Sequence, residues 1–219
     1  MNQPVVQPYR AEAQPLTNKV LRNAYILLSL MLALSAGVTA LTIASGMAPL
    51  NMWLTFALLV ASPFIVMRMV NSPMAIPMAL GYGALIGFLL GPIVGLYMAK
   101  NASIVINAFA GTAVATFSLS MYALTTRKDF SFLRGFFVVG CVVVLIAIAA
   151  QMLLQLPIFS LVISGAIVLL SSVGILWHTS QAIHGGETNY VVVAVGLFSD
   201  IWSMFMSLLR IFGIFGGDD

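Results

Sequence analysis

The stretch YVVVAVGLFSDIWSMFMSLLRIFGI, residues 190–214, is a long apolar run that contains a single carboxylate, Asp200. Asp200 lies well inside the run, and no other acidic residue lies inside a long apolar stretch of this chain. Placing a carboxylate at the centre of a membrane helix costs roughly 2.5–3.5 kcal/mol. Chains that carry one there usually turn it toward a partner, a cavity or an ion path. The stretch therefore predicts a membrane helix with a functional carboxylate that faces other helices.

The composition of the whole chain also indicates a membrane protein. Of its 219 residues, 61% are hydrophobic and only 7% are charged, whereas soluble domains have about 25% charged residues. The only cysteine, Cys141, lies in an apolar run, so the chain can form no internal disulfide. There is no zinc-type cluster of histidine and cysteine. We expect the lipid bilayer to be the solvent, with no cofactor, no bound metal and no nucleic-acid partner.

Seven apolar stretches predict an all-α integral membrane protein, a seven-transmembrane-helix bundle. Most reach the roughly 20 residues that a helix needs to cross about 30 Å of hydrocarbon. The second is the shortest, and its end near Arg68 is ambiguous. Six or eight spans remain open, and the last stretch could form two half-helices. The stretches are residues 24–46, 50–67, 74–97, 103–124, 134–154, 158–177 and 190–214.

The basic residues predict the orientation of the bundle, since cytoplasmic loops carry an excess of lysine and arginine. With the N-terminus in the cytoplasm, only Lys100 and Arg210 fall on the far side. The residues on the cytoplasmic side are Arg10, Lys19, Arg22, Arg68, Arg127, Lys128 and Arg134.

The chain divides into a disordered cytoplasmic tail at 1–18, a transmembrane domain at 19–215 and a short periplasmic tail at 216–219. The tail, MNQPVVQPYRAEAQPLTN, is rich in glutamine and proline and holds little apolar material. It is either inert or a segment that a cytosolic partner can grip.

The third stretch contains a stripe of small residues. Gly83, Gly87, Gly91 and Gly95 recur at every fourth position and therefore lie along one face of a helix. Such stripes let two backbones approach closely in lipid. We expect the third helix to be tightly packed against a neighbour.

Two side chains are candidate partners for Asp200. His178 ends the sixth stretch, and consecutive helices joined by a short loop are often adjacent and antiparallel. Arg68 ends the second stretch on the same side. A histidine–carboxylate pair favours the charged forms together and titrates as a coupled unit. Contact between His178 and Asp200 requires the sixth helix to extend inward or the seventh to begin deeper; otherwise His178 is an interfacial side chain.

The residues argue against an enzyme. No GxSxG serine turn is present, and one carboxylate cannot form the pair of an aspartyl protease. Ser180 is too close to His178 along a helix to face it.

Several stretches in this order resemble the Bax inhibitor-1 family of membrane proteins. They are GALIGFLLGPIVGLY, AGTAVATFSLSMYALTTRKDFSFLRGFF, IHGGETNY and GLFSDIWSMFMSLLRIFG. The resemblance covers roughly residues 17–215. Within it, KVLRNAYILLSL at 19–30 and QAIHGGETNY at 181–190 are similar to the proteobacterial branch that modulates the FtsH protease.

The resemblance implies a central last helix wrapped by six others. It further implies, for some members, a pH-sensitive calcium leak closed by two aspartates and an arginine. Asp200 falls on the second aspartate position, His178 on the first, and Arg68 near the arginine. Because histidine replaces a carboxylate here, calcium has fewer oxygen ligands, and protonation of His178 would tighten the pair instead of relieving a repulsion.

Two functions therefore compete. The resemblance implies a regulator of the bacterial inner membrane that binds and inhibits FtsH. Membrane-bound regulators of that protease are further expected partners, and the tail is the segment that FtsH engages. The alternative is a pH-sensitive cation leak, for calcium or protons, gated by His178, Asp200 and Arg68.

Overall fold

A computed structural model describes residues 9–126, 128–154 and 156–216. In these ranges the chain is all-α, with seven helices. They are α1 Tyr9–Ala44, α2 Met52–Arg68, α3 Ala75–Lys100, α4 Ala102–Thr126, α5 Leu133–Leu154, α6 Pro157–His184 and α7 Tyr190–Phe215.

Local sequence signals set several of these bounds. Asn51 and Asn189 are the N-caps of α2 and α7, and each side chain accepts a hydrogen bond of 2.9 Å from the amide two residues later. Pro157 is the first residue of α6, where its missing N–H removes no helical hydrogen bond. Gly185 ends α6 with a φ of 71°, a left-handed conformation that suits glycine.

The predicted stretches and the observed helices agree closely, with differences at two helix ends. α6 continues to His184 instead of ending near residue 177. α1 begins at Tyr9, inside the segment 1–18 predicted as a disordered tail, where alanine, glutamate and glutamine are good helix formers. Residues 1–8 of that tail, Arg127, and residues 217–219 of the predicted C-terminal tail lie outside the described residues. α7 is one continuous helix and not two halves.

Six of the described helices are long and apolar enough to cross a membrane. They are α3 to α7 and the part of α1 that runs from Lys19 to Ala44. α2 is the exception, since its 17 residues extend about 26 Å at 1.5 Å per residue and the hydrocarbon is about 30 Å thick. It also contains Pro63. Length and composition thus support six spans, where the sequence predicted seven.

α7 lies at the centre of the bundle. The helices α1, α3, α4 and α6 each contact the next around a closed ring, and all four contact α7. α2 packs outside this ring, mainly on α3, and α5 packs on the opposite side against α6. Of the candidate spans, α7 is the most buried. A polar side chain on the inner faces of α7 is therefore surrounded by other helices.

Outside this centre, the most extensive contact between two helices is that of α1 with α3. A Cβ added to Gly83 would lie 3.0 Å from the carbonyl oxygen of Met31, and the next three glycines of the stripe also face α1. Thr39 on α1 donates a hydrogen bond of 3.2 Å to the carbonyl of Gly87. α1 and α3 therefore pack backbone to backbone, with a polar contact between them.

Candidate functional site

His178 and Asp200 are in contact inside the bundle. Oδ2 of Asp200 lies 2.8 Å from Nδ1 of His178, and the two side chains are 7% and 13% exposed, respectively. The contact exists because α6 extends to His184. His178 therefore lies within the helix and at the same depth in the bundle as Asp200 of α7. The carboxylate that the sequence singled out therefore has a protonatable partner.

The surroundings of His178 determine which ring nitrogen carries a hydrogen. Nδ1 lies 3.0 Å from the carbonyl oxygen of Gly174 as well as 2.8 Å from Asp200. A carbonyl oxygen only accepts hydrogen bonds, so Nδ1–H donates to both oxygens. This arrangement fixes the ring orientation, and it holds whether or not Nε2 is also protonated. A buried carboxylate can stay charged only when donors of this kind form hydrogen bonds to it.

Two glycines make room for the pair. Gly174 precedes His178 by four positions and Gly196 precedes Asp200 by four, so each glycine shares a helix face with one partner. A Cβ at Gly174 would lie 2.5 Å from the carboxyl carbon of Asp200, and a Cβ at Gly196 would lie 2.5 Å from Cδ2 of His178. Each of the two side chains thus occupies the space over the glycine of the opposite helix. The sequence reasoning missed both glycines, although the repeated Gly-x-x-x-His and Gly-x-x-x-Asp spacing is visible in it.

Aromatic side chains cover the imidazole on the side where α5 packs. The ring of Phe137 on α5 meets His178 edge to face, with centroids 5.7 Å apart and an interplanar angle of 85°. The Trp177 ring lies 4.6 Å from His178 and 5.4 Å from Phe137. α5 therefore shields the pair even though it lies outside the central ring.

A second polar network holds the same part of α7 to α3. The hydroxyl of Ser199 donates to the carbonyl of Val195 at 2.8 Å. The buried Tyr82 hydroxyl lies 2.9 Å from Ser199 Oγ and accepts from Trp202 Nε1 at 3.1 Å. Because the Ser199 hydrogen is already used, Tyr82 donates to Ser199. The sequence reasoning missed this network, which has no motif of its own, and it fixes the residue next to Asp200.

The structure does not bring Arg68 to this pair. His178 and Asp200 form a pair that Arg68 does not join, and Arg68 is an exposed residue in the last turn of α2. The α2–α3 connection instead contacts the start of α7, where Asn189 Nδ2 donates to the carbonyl of Val70 at 2.9 Å. Asp200 lies about 15 Å deeper along α7. This depth separates the arginine from the carboxylate.

The described residues contain no group of three or more histidine, cysteine, aspartate or glutamate side chains placed to hold a metal ion. Calcium takes six to eight oxygen ligands, and the pair supplies one carboxylate. The pair joins α6 to α7 through a direct contact of 2.8 Å.

Ser180 has a structural contact of its own. Its buried hydroxyl accepts a hydrogen bond of 2.9 Å from the amide of Phe130 in the α4–α5 connection. The same oxygen lies 3.3 Å from Nδ1 of His184. Ser180 thus attaches the connection to the end of α6.

Two concave surfaces lie at the end of the bundle that carries the α6–α7 connection. One is a cavity of about 220 Å³ whose lining includes Lys19, Asn23 and Glu187. The other is a more open groove of about 600 Å³ between residues 70–76 and 188–191. Neither is lined by His178 or Asp200.

Comparison with known proteins places the chain in a family. A family profile described as "Inhibitor of apoptosis-promoting Bax1" matches residues 17–217. The chain is 43% identical over 204 residues to the Escherichia coli K12 protein named "Modulator of FtsH protease YccA", covering 92% of this chain and 93% of the relative. It is 40% identical to an uncharacterized protein of Pseudomonas aeruginosa, over 91% of each chain. It is 35% identical to an "Uncharacterized membrane protein" of Vibrio cholerae, over 93% of this chain and 92% of the relative. With a profile match over nearly its whole length and relatives of this similarity, the chain belongs to the Bax inhibitor-1 family.

Proposed function

We propose that this protein is a modulator of the FtsH protease in the bacterial inner membrane. The observation that carries the proposal is the 43% identity to the E. coli modulator of FtsH over 92% of this chain and 93% of the relative. The same protein from a second E. coli strain is named "Inner membrane protein YccA". Since the match extends over nearly all of both chains, the regions through which the relative acts have counterparts here.

The proposed topology has all seven helices crossing the membrane and the N-terminus in the cytoplasm. Two contacts support one common end for the basic loops: Phe130 with Ser180, and Asn189 with Val70. The opposite end is marked by Lys100, whose Nζ donates to the carbonyl of Gly213 at 3.4 Å. With α2 crossing, the first end carries most of the basic residues, as cytoplasmic loops do.

The proposed mode of action is occupancy of the protease. A cytosolic enzyme that pulls on residues 1–18 would have to extract α1, which packs backbone to backbone on α3 and also contacts α6 and α7. Such a bundle resists extraction, so the protease stays engaged and degrades other membrane substrates more slowly. The cavity and the groove beside the α6–α7 connection lie at the same end and offer surface to a partner.

The test uses purified FtsH in proteoliposomes with a membrane substrate and increasing amounts of this chain. We expect the full chain to slow substrate turnover and to co-purify with FtsH. Deletion of residues 2–17 should weaken both effects, while deletion of 217–219, at the proposed periplasmic end, should change neither. Unchanged inhibition after deletion of 2–17 would remove the tail from the mechanism, and no inhibition by the full chain would remove the proposed function.

A second candidate function is a pH-sensitive cation leak, and the buried His178–Asp200 pair is the observation that favours it. Intramembrane ionisable pairs mark ion and proton paths. Protonating His178 strengthens its attraction to the carboxylate, which would close α6 on α7 as the pH falls.

Calcium and proton flux into proteoliposomes, measured from about pH 5 to 8, tests this candidate. Wild type is compared with Asp200→Asn, and with Arg68→Gln to test the predicted third member. Flux that rises with pH and loses its pH dependence in Asp200→Asn supports the leak. Absence of flux at every pH excludes it without affecting the FtsH assay.

A further inference from the structure

Two hydroxyl groups on α4 are buried without a hydrogen-bond partner among the described residues. They are Thr116 Oγ1 and Ser120 Oγ. Serine and threonine in helices commonly donate to the carbonyl four residues earlier, as Thr112 does to Ala108 at 2.7 Å on the same helix. Ser120 is only 6% exposed. A buried hydroxyl without a partner is unfavourable, so two of them on one helix face call for an acceptor or a bound molecule.

The packing of α4 against α7 sets the depth of these hydroxyls. Gly111 of α4 lies against Leu208 of α7, and Ile104 lies against Gly216, so the two helices run antiparallel. Both helices rise 1.5 Å per residue. The separation from Ile104 to Ser120 along α4 contains the same number of residues as the separation from Gly216 back to Asp200 along α7. Ser120 is therefore level with the carboxylate.

The carboxylate has unused capacity at this depth. Oδ2 of Asp200 accepts from His178, while Oδ1 has no hydrogen bond to any described residue. An ionised carboxylate accepts about four hydrogen bonds. α4 contacts both α6 and α7, so it brings two unpaired hydroxyls to the pair of helices that carries this oxygen. Among the described residues, no group joins these hydroxyls to Oδ1 directly within hydrogen-bond distance.

We propose that this seam between α4 and the α6–α7 pair is a binding site for internal water. One water bridges the Ser120 hydroxyl to Oδ1 of Asp200, and the site continues to Thr116. A buried water needs two to four polar partners, and these three groups provide them. Ser120 and Thr116 are thereby positioning residues for the carboxylate, and the site does not depend on the proposed action on FtsH.

The first test is the sign of a stability change in the full chain in lipid nanodiscs. A water-mediated hydrogen bond contributes nearly as much as a direct one, so Ser120→Ala should raise the unfolding equilibrium constant by about threefold to tenfold. Thr116→Val should act in the same direction. The matched control is Ser118→Ala, an exposed serine on the same helix, which should change little. An unfolding constant that falls or stays constant in Ser120→Ala means that the hydroxyl is dry and unpaired, and overturns the site.

The second test identifies the bound molecule. Infrared spectra of the full chain in normal and ¹⁸O-labelled water should show a strongly hydrogen-bonded O–H band that shifts with the label. The band should be lost in Ser120→Ala and in Asp200→Asn and retained in Ser118→Ala. If Ser120→Ala is destabilising but no label-sensitive band is lost, the partner is a protein group and the water site is wrong.

Discussion

The substitution Gly174→Ala tests the packing of the His178–Asp200 pair most directly. The added Cβ would lie 2.5 Å from the carboxyl carbon of Asp200, whereas non-bonded carbons settle at about 3.5–4.0 Å. The carboxyl group must therefore move away from α6 by about 1 Å. Its hydrogen bond to His178, now 2.8 Å, would lengthen past the limit of about 3.5 Å and be lost.

The expected cost follows from these displacements. Overpacking a tight site costs about 1–3 kcal/mol, and losing a hydrogen bond to a charged group costs about 1.5–3 kcal/mol. Alanine regains about 1 kcal/mol over glycine through helix propensity. We expect a net destabilisation of about 2–4 kcal/mol. Gly165→Ala on the same helix is the matched control, because its Cβ would meet nothing within 4 Å, and it should not destabilise the protein.

The assay measures the free energy of unfolding in lipid nanodiscs. Bulky ligands bind to tags on two helices and trap the state in which the two helices have separated. The substitution is made in wild type and in an Asp200→Ala background, where the carboxyl group that the new Cβ would meet is absent. In that background Gly174→Ala should stabilise the protein by about 1 kcal/mol through helix propensity, which gives a coupling energy of about 3–5 kcal/mol between the two positions. The reasoning is refuted if Gly174→Ala costs the same in both backgrounds or costs nothing in wild type.

Three further outcomes follow from contacts elsewhere in the bundle. Gly87→Ala should separate α1 from α3 and destabilise the protein by about 1–3 kcal/mol, whereas Gly81→Ala, whose Cβ would meet nothing within 4 Å, should be tolerated in the same unfolding assay. Ser180→Ala removes the acceptor for an amide of the α4–α5 connection, so hydrogen exchange at residues 128–131 should speed up while the spanning helices stay protected. Hydrogen bonds from Ser131 lower the pKa of Asp129 in this connection, so its contribution to stability is present above the unfolded-state pKa and is lost as the pH falls through the lower folded-state value. Asp129→Asn should remove this acidic dependence of exchange at 128–131, and an unchanged pH profile would contradict the assignment.

The sequence predicted the helices well because hydrocarbon solvent imposes length and polarity on them. The observed bounds of α3, α4, α5 and α7 lie within a few residues of the apolar stretches. The apolar stretches did not predict the helix ends that extend beyond the hydrocarbon. The end of α6 holds polar residues and still continues as helix to His184, and the start of α1 is helical from Tyr9.

The candidate site was predicted in part. Asp200 stood out because an isolated carboxylate in an apolar run is costly, and His178 followed from the adjacency of consecutive helices. The glycines at 174 and 196 could not be assigned, because their role depends on the depth at which α6 meets α7. Hydroxyl groups such as Ser120 carry no sequence signal, since serine is common in membrane helices and its partners depend on packing.

The central position of α7 has a consequence for synthesis. Chains emerge from the ribosome N-terminus first, so the central helix α7 is made after the helices that surround it. Until it arrives, the surrounding helices have nothing to close around, and their hydroxyls and glycines face lipid or one another. The ring therefore closes only once α7 has been inserted, and a chain that stops before α7 leaves an open ring that quality control in the bilayer can recognise.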